Sequence, residues 1–287
     1  MVMREVVTAC FLILFCACNN TKKKPAYSVI PGYDMVNPVV IQLKSDLDEL
    51  SGIYYYAKDT SVFAINDELG VLYKIYLRKQ IKVKTWKFSG DGDYEDISFR
   101  DGTFYVLASN GSIKSFQFVE GDSVHVNHHG KAVGGTNDFE TLYYDSYYGK
   151  FVVVCKDCES DDKKTVSAYS FNPDDETFSE EPFYQIDTDE IARLLGSDKI
   201  KFKPSAAAIN PVTKDLYIVS SVNKAIAVTD RKGKIKEVYK VDPLMFKQPE
   251  GITFTPNGDM LISNESAEIG SATILIFKYK PLLHEKG

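Results

Sequence analysis

Four glutamates, Glu49, Glu95, Glu140 and Glu250, and one serine, Ser205, each precede a short apolar run. They recur about every 45 residues, apart from one longer step between Glu140 and Ser205. Some way after each comes a second polar group: Asn66-Asp67, Ser109-Asn110, Lys156-Asp157, Ser221 to Asn223, and Asn264-Glu265. Carboxylates held close together repel, and one of them gains a raised pKa unless a cation neutralises the group. Surroundings made only of carboxylate, amide and hydroxyl oxygen suit a hard cation such as Ca2+ or Mg2+, and equally a cationic or hydroxyl-rich ligand. On this reading Glu49, Glu95, Glu140 and Glu250 are candidate metal ligands. Asn66, Asp67, Asn110, Asp157, Ser205, Asn223, Asn264 and Glu265 then line a ligand site. The same residues have a plainer use, capping backbone N–H groups and tying neighbouring sheets together around water. Residue type alone serves both uses.

The elements that would gather these groups are visible as a repeat. Each opening residue starts an apolar strand, followed by a turn such as Lys58-Asp59-Thr60, Arg100-Asp101-Gly102 or Pro256-Asn257-Gly258. A second apolar strand follows (62–65, 104–108, 151–155, 216–220, 260–263), then a third with alternating apolar positions, as in 71–76 and 225–229, and a fourth, as in 81–88 and 235–241. Four short strands per period of about 45 residues is the pattern of a β-propeller blade. The count predicts an all-β chain of five blades with four antiparallel strands each, and leaves room for a sixth if 171–186 hides another. The long step has a visible cause: Asp187 to Glu190 reads as a capping box, with Ile191, Leu194 and Leu195 on one helical face and Gly196 ending it. The last repeat has three strands, and 36–43 is expected to supply the fourth, closing the ring through the N-terminal strand and removing an exposed sheet edge. Strand alternation then puts both sets of polar groups at one end of the channel, the openings nearest the axis.

Residues 1–17 read as a signal sequence: Arg4, an apolar run too short to span a bilayer, then Phe15-Cys16-Ala17-Cys18. A small residue before a Cys resembles the bacterial lipoprotein processing site, which implies cleavage before Cys18 and lipid on that residue; a plain secretory signal is the alternative. Residues 18–35 have the composition of a polar tether, 36–280 form a single propeller domain, and 281–287 a tail. The expected location is the bacterial cell envelope, anchored at the outer membrane by lipid alone. With Cys10 and Cys16 removed, Cys155 and Cys158 remain, and in an oxidising compartment a local disulfide is expected over free thiols.

Several classes are excluded or unsupported. A net charge of −6 and no basic block beyond Lys22 to Lys24 argue against a nucleic-acid surface. The acidic stretch Asp91 to Asp96 fails the helix–loop–helix calcium template, because Asp96 and Gly102 stand where Gly and Glu are required. His125, His128 and His129 fall in an outer strand and are expected at the surface. No nucleophile elbow, phosphate loop, zinc-protease or dinucleotide motif occurs, so no organic cofactor is expected.

The matched segments Glu49 to Gly52, Ala64 to Glu68, Phe139-Glu140, Lys203 to Ala206 with Asn210-Pro211, Pro249 to Ile252 and Ser263 to Glu265 resemble the SdiA-regulated family of envelope β-propellers, over roughly Leu43 to Tyr279. The resemblance implies an envelope propeller with room for a metal at the channel mouth, and supplies no reaction. More distantly the chain is similar to metal-dependent propeller phosphatases and esterases and to lactone-cleaving propellers. Ser205 interrupts any ring of identical ligands. The expected function is therefore non-catalytic binding of a small ligand, envelope protein or divalent cation at an acidic mouth, by a monomer. The alternative is a metal-dependent hydrolase of phosphoesters, esters or lactones using the same carboxylates, with metal-bound water as nucleophile.

Overall fold

The computed structural model describes residues 27–78, 80–118, 124–162, 164–266 and 271–281. The signal sequence and Cys18 lie outside them, as does nearly all of the tail. Strand β1 (Val39–Gln42) comes first in the chain and belongs to the last sheet. Blade one is β2 (Leu50–Tyr56), β3 (Ser61–Asn66), β4 (Val71–Tyr76) and β5 (Lys82–Lys87). Blade two is β6 (Tyr94–Arg100), β7 (Thr103–Ala108), β8 (Ser112–Phe118) and β9 (Val124–Lys131). Blade three holds β10 (Asn137–Asp145), β11 (Lys150–Cys158) and β12 (Thr165–Asn172), with β13 (Thr177–Phe178) and β14 (Tyr184–Asp187) both paired to β12. Blade four is β15 (Ala206–Ile209), β16 (Leu216–Ser220), β17 (Ala225–Thr229) and β18 (Ile235–Lys240). Blade five is β19 (Pro249–Phe254), β20 (Met260–Asn264) and β21 (Thr273–Phe277), completed by β1.

All pairings within blades are antiparallel, and the innermost strands β2, β6, β10, β15 and β19 adjoin one another in a closed circle. The protein is a five-bladed β-propeller. The segment 171–186 makes no sixth blade; it forms two pieces of blade three's outer edge, because both β13 and β14 hydrogen-bond to β12. The ring is closed as the chain-end pattern predicts, with Val40 opposite Leu275 and Ile41 opposite Ile274.

Burial follows position in the blade. Every residue of β3, β16, β17 and β20 is buried, since neighbouring blades cover both faces, whereas β5 alternates around a Lys-rich exposed face. Aromatic pairs fill the wedges between blades: Phe63 on Phe104 at 4.6 Å and Tyr105 on Phe151 at 4.1 Å. His129 belongs to this packing and not to the surface. Its side chain is 3% exposed, its Nε2 lies 2.8 Å from Ser115 Oγ, and its ring meets Phe171. Burial lowers its pKa, against the opposing pull of Glu176.

The inserted helix, α1 (Thr188–Leu195), sits between blades three and four. The Asp187 carboxylate accepts from the N–H of Asp189 and Glu190, and Gly196 ends the helix in the left-handed conformation. Glu190 pairs with Arg193 at 2.7 Å. Ile191, Ala192 and Leu195 are buried, while Leu194, expected on the same face, is exposed.

The boundary of the domain moves. Residues 18–35 read as a spacer, yet from Ser28 onward the chain is bonded to the propeller: Ser28 N donates to Lys240 O, and Tyr33 bridges Tyr279. Ile30 is 1% and Tyr33 5% exposed, and the Tyr33 hydroxyl donates to Gly258 O while accepting from Asn210 Nδ2. Two buried apolar side chains in a polar stretch were enough to dock it.

Candidate functional site

The repeated openings are β-bulges. In blades two, three and five the ladder skips one residue on the inner strand, and the skipped residues are Glu95, Glu140 and Glu250. A bulged residue is released from pairing and its side chain is re-aimed, here into the mouth of the channel. Blade one has the same irregularity between Leu50 and Ile53, which puts Ser51, not Glu49, in the equivalent place. Ser205 holds it in blade four, just before β15. The ring position is therefore Ser51, Glu95, Glu140, Ser205 and Glu250, and Glu49 lies two residues outside it. Aligning the buried residues Leu50, Tyr94, Phe139, Pro204 and Pro249 would have found this, since burial keeps the register that the acidic residues do not.

Ser51, Glu95, Glu140, Ser205 and Glu250 line a cavity of about 180 Å³ together with Asp67, Asp93 and Glu265. Beside it, Glu49, Asp67 and Glu265 each offer a carboxylate oxygen within 4.8 Å of the others. Asp67 Oδ1 is buried and has no hydrogen-bond partner among the described residues. Glu265 accepts from Gln248 Nε2. Burial, then contact with Glu49 and the charges of Glu250 and Asp67, pushes the Glu265 carboxyl up to about 8. Burial and Glu49 raise Asp67 to about 6. Burial, with Asp93 and Asp138 beside it, raises Glu95 to about 8. Burial raises Glu250 to about 7, against a hydrogen bond from Ser221 and the charges of Lys156 and Lys224.

Several other expected ligands face their own backbone. Asn66 donates to Glu49 O and accepts from the N–H of Glu68 and Leu69. Asn110 accepts from Ser112 N, and Asn223 from Lys203 N and Ser220 Oγ. Asn264 donates to Met245 O and Thr273 Oγ1, and its buried Oδ1 has no hydrogen-bond partner among the described residues. Ser205 Oγ donates to Pro249 O at 2.7 Å and accepts from Ser221 N, so its proton is directed at a carbonyl oxygen. Asp157 turns away to Lys201 at 2.7 Å and Lys203 at 3.2 Å.

The mouth also contains cations that the repeat does not reveal. Lys156 pairs with Glu140, and with Asp138 at 3.5 Å. Lys156, Lys203, Lys224 and Lys247 line a second cavity of about 400 Å³ that shares Glu140, Lys156, Ser205, Gln248 and Glu250 with the first. These lysines hold no single position of the repeat: Lys203 stands two residues before Ser205 and Lys247 three before Glu250, while Lys156 and Lys224 lie near the ends of second strands. The one available signal is Lys156 directly before Asp157 at a mouth position. Cys155 and Cys158 are joined by a disulfide at the mouth end of β11, next to Lys156. Both lie in β11, which runs three residues past the expected strand end at 155.

Below the mouth, Asp96 is buried against the axis. Its Oδ2 accepts from Leu142 N of blade three and its Oδ1 from Ile97 N, both at 2.8 Å. Burial raises its pKa well above the usual carboxylate value despite those two N–H donors.

No family model and no curated protein matches the chain. Solved structures do match in fold. A glutaminyl cyclase from Myxococcus xanthus aligns with a TM-score of 0.54 at 13% identity, over 85% of this chain and 98% of that one. A luciferin-regenerating enzyme aligns with a TM-score of 0.50 at 12% identity, over 86% of this chain and 98% of the other. At such identity the likeness concerns the fold alone.

Proposed function

We propose that this chain is an envelope-anchored propeller, of the SdiA-regulated kind, that binds a divalent cation or a cationic ligand group at its channel mouth and catalyses no reaction. The observation that carries the reading is the convergence of Glu49, Asp67 and Glu265 within 4.8 Å. Burial first, and then their mutual repulsion, raises the Asp67 and Glu265 carboxyls, and a hard cation relieves the repulsion by supplying the missing opposite charge. Ca2+ fits an all-oxygen set of flexible geometry, with Mg2+ as the competitor. Engagement of Asn66, Asn110, Asn223 and Ser205 with backbone takes them out of the ligand set and leaves the carboxylates to carry the site. Lipid on Cys18 and a monomeric state belong to the same proposal, the partner being a small ligand or an envelope protein.

A hydrolase remains the second reading because of Glu250, whose carboxyl near 7 at the mouth suits proton transfer at neutral pH. One titration separates the readings. Calorimetry with CaCl2 on the purified domain should show binding that weakens at least tenfold in Glu265→Gln and in Asp67→Asn. Heat and metal content indistinguishable from zero in all three proteins would remove the cation and the hydrolase together. Turnover of a phosphoester, ester or lactone panel, abolished by Glu250→Gln, would replace binding by catalysis.

A further inference from the structure

The mouth is electrically divided. One side, formed where blades five, one and two meet, carries Glu49, Asp67 and Glu265, with Asp93 and Glu95 next to them. The other side, over blades three, four and five, carries Lys156, Lys203, Lys224 and Lys247 around the cavity of about 400 Å³. Local acids balance these ammonium groups only in part, with Glu250 on the same wall acting on Lys224. Glu140 pairs with Lys156, and Asp157 is shared between Lys203 and Lys201. Lys224 donates to the Lys247 carbonyl oxygen and has no other hydrogen-bond partner among the described residues. The Lys247 ammonium has no ion-pair or hydrogen-bond partner among the described residues. Ser221 and Gln248, both on the wall, add neutral polar groups beside the charges.

From this arrangement we propose that the lysine side of the mouth receives the phosphate or carboxylate group of a small ligand, whose cationic or metal-bound end lies against Glu49, Asp67 and Glu265. The inference rests on the cation reading above and adds the class of ligand. Lys224 and Lys247 supply the charge-assisted bonds to the oxyanion, since Lys156 and Lys203 already hold carboxylates. Gln248, whose amide donates to Glu265, stands at the boundary between the two halves. Partial burial lowers the Lys224 pKa, and an anion beside the ammonium would restore it. A cation bound on the acid side and an oxyanion on the lysine side strengthen each other, because each supplies charge opposite to the other across a short distance.

The test is calorimetry with inorganic phosphate and, separately, acetate, at constant ionic strength, with CaCl2 or with EDTA. Wild type is compared with Lys224→Met/Lys247→Met and with Glu265→Gln. The expected result is binding of at least one anion in the presence of Ca2+, weakened tenfold or more in the double lysine variant, while that variant binds Ca2+ as wild type does. Retained Ca2+ binding also shows that the variant is folded, and Lys224→Arg/Lys247→Arg should keep the anion. Binding of phosphate alone identifies a phosphate ligand, and of acetate alone a carboxylate. Ca2+ binding with no anion binding, or anion binding unchanged by the lysine substitutions, overturns this inference and leaves the cation reading standing. Loss of Ca2+ binding in wild type itself overturns the cation reading instead.

Discussion

Asp96 of blade two accepts the N–H of Leu142 in blade three at 2.8 Å, with its other oxygen on Ile97 N. This fully buried carboxyl ties two blades together beside the axis. Asp96→Ala leaves both N–H groups without an acceptor, and each buried orphan donor costs roughly 1–3 kcal/mol. Urea unfolding should show a loss of about 2–4 kcal/mol. A loss below about 1 kcal/mol would mean that water replaces the carboxyl there.

Gly52 packs against the backbone of the same residue. A Cβ at this position would lie 2.5 Å from Asp96 Cα and 2.8 Å from Ile97 N, so backbone rather than a flexible side chain stands in the way. Gly52→Ala should therefore cost about 1–3 kcal/mol or more, as overpacking does elsewhere. A midpoint equal to wild type would show that blades one and two can part without penalty.

The mouth carboxyls predict a pH dependence of known sign. Asp67, Glu250, Glu95 and Glu265 are raised to about 6, 7, 8 and 8. The folded protein thus holds more protons than the unfolded chain between the ordinary carboxylate range and about pH 8, and stability falls as pH rises through that window. In EDTA, thermal unfolding should occur at a higher temperature near pH 5.5 than near pH 8.5, and CaCl2 should flatten the difference. A melting temperature that rises steadily over the window would contradict the buried, crowded environment of these acids.

The docked N-terminal stretch should matter to the ring. Tyr33→Phe leaves Gly258 O and Asn210 Nδ2 without the hydroxyl between them, for a loss of about 1–2 kcal/mol. A chain beginning at residue 36 should unfold earlier than one beginning at residue 27, by differential scanning fluorimetry. Coincident curves would return residues 27–35 to the role of spacer.

Removal of the Cys155–Cys158 link should have a small effect. The closed loop is only a few residues long, so the chain-entropy contribution is about 2 kcal/mol. Cys155→Ala/Cys158→Ala should fold, and Ca2+ affinity should change by less than threefold if the link only stabilises β11. A larger loss would show that it positions Lys156 in the mouth.

Much of the architecture was legible in the residues alone. Apolar strands separated by turn residues, repeated five times, determine five antiparallel sheets, because nearly every strand pairs with its sequence neighbour, β1 and β14 being the exceptions. The helix after Asp187 and the closing strand near residue 40 follow from equally local signals, a cap in one case and an unpaired last repeat in the other. What the tertiary structure decided is which side chains meet. The bulge selects Ser51 in place of Glu49, a choice of register made by burial of Leu50 and Ile53 between blades. Lys156, Lys203, Lys224 and Lys247 converge from blades three, four and five at positions that are not equivalent in the repeat. His129 and Tyr33 become buried through contacts with sheets distant in the chain. A repeat constrains where backbones run, whereas the charge balance of the mouth depends on long side chains whose direction only neighbouring blades determine.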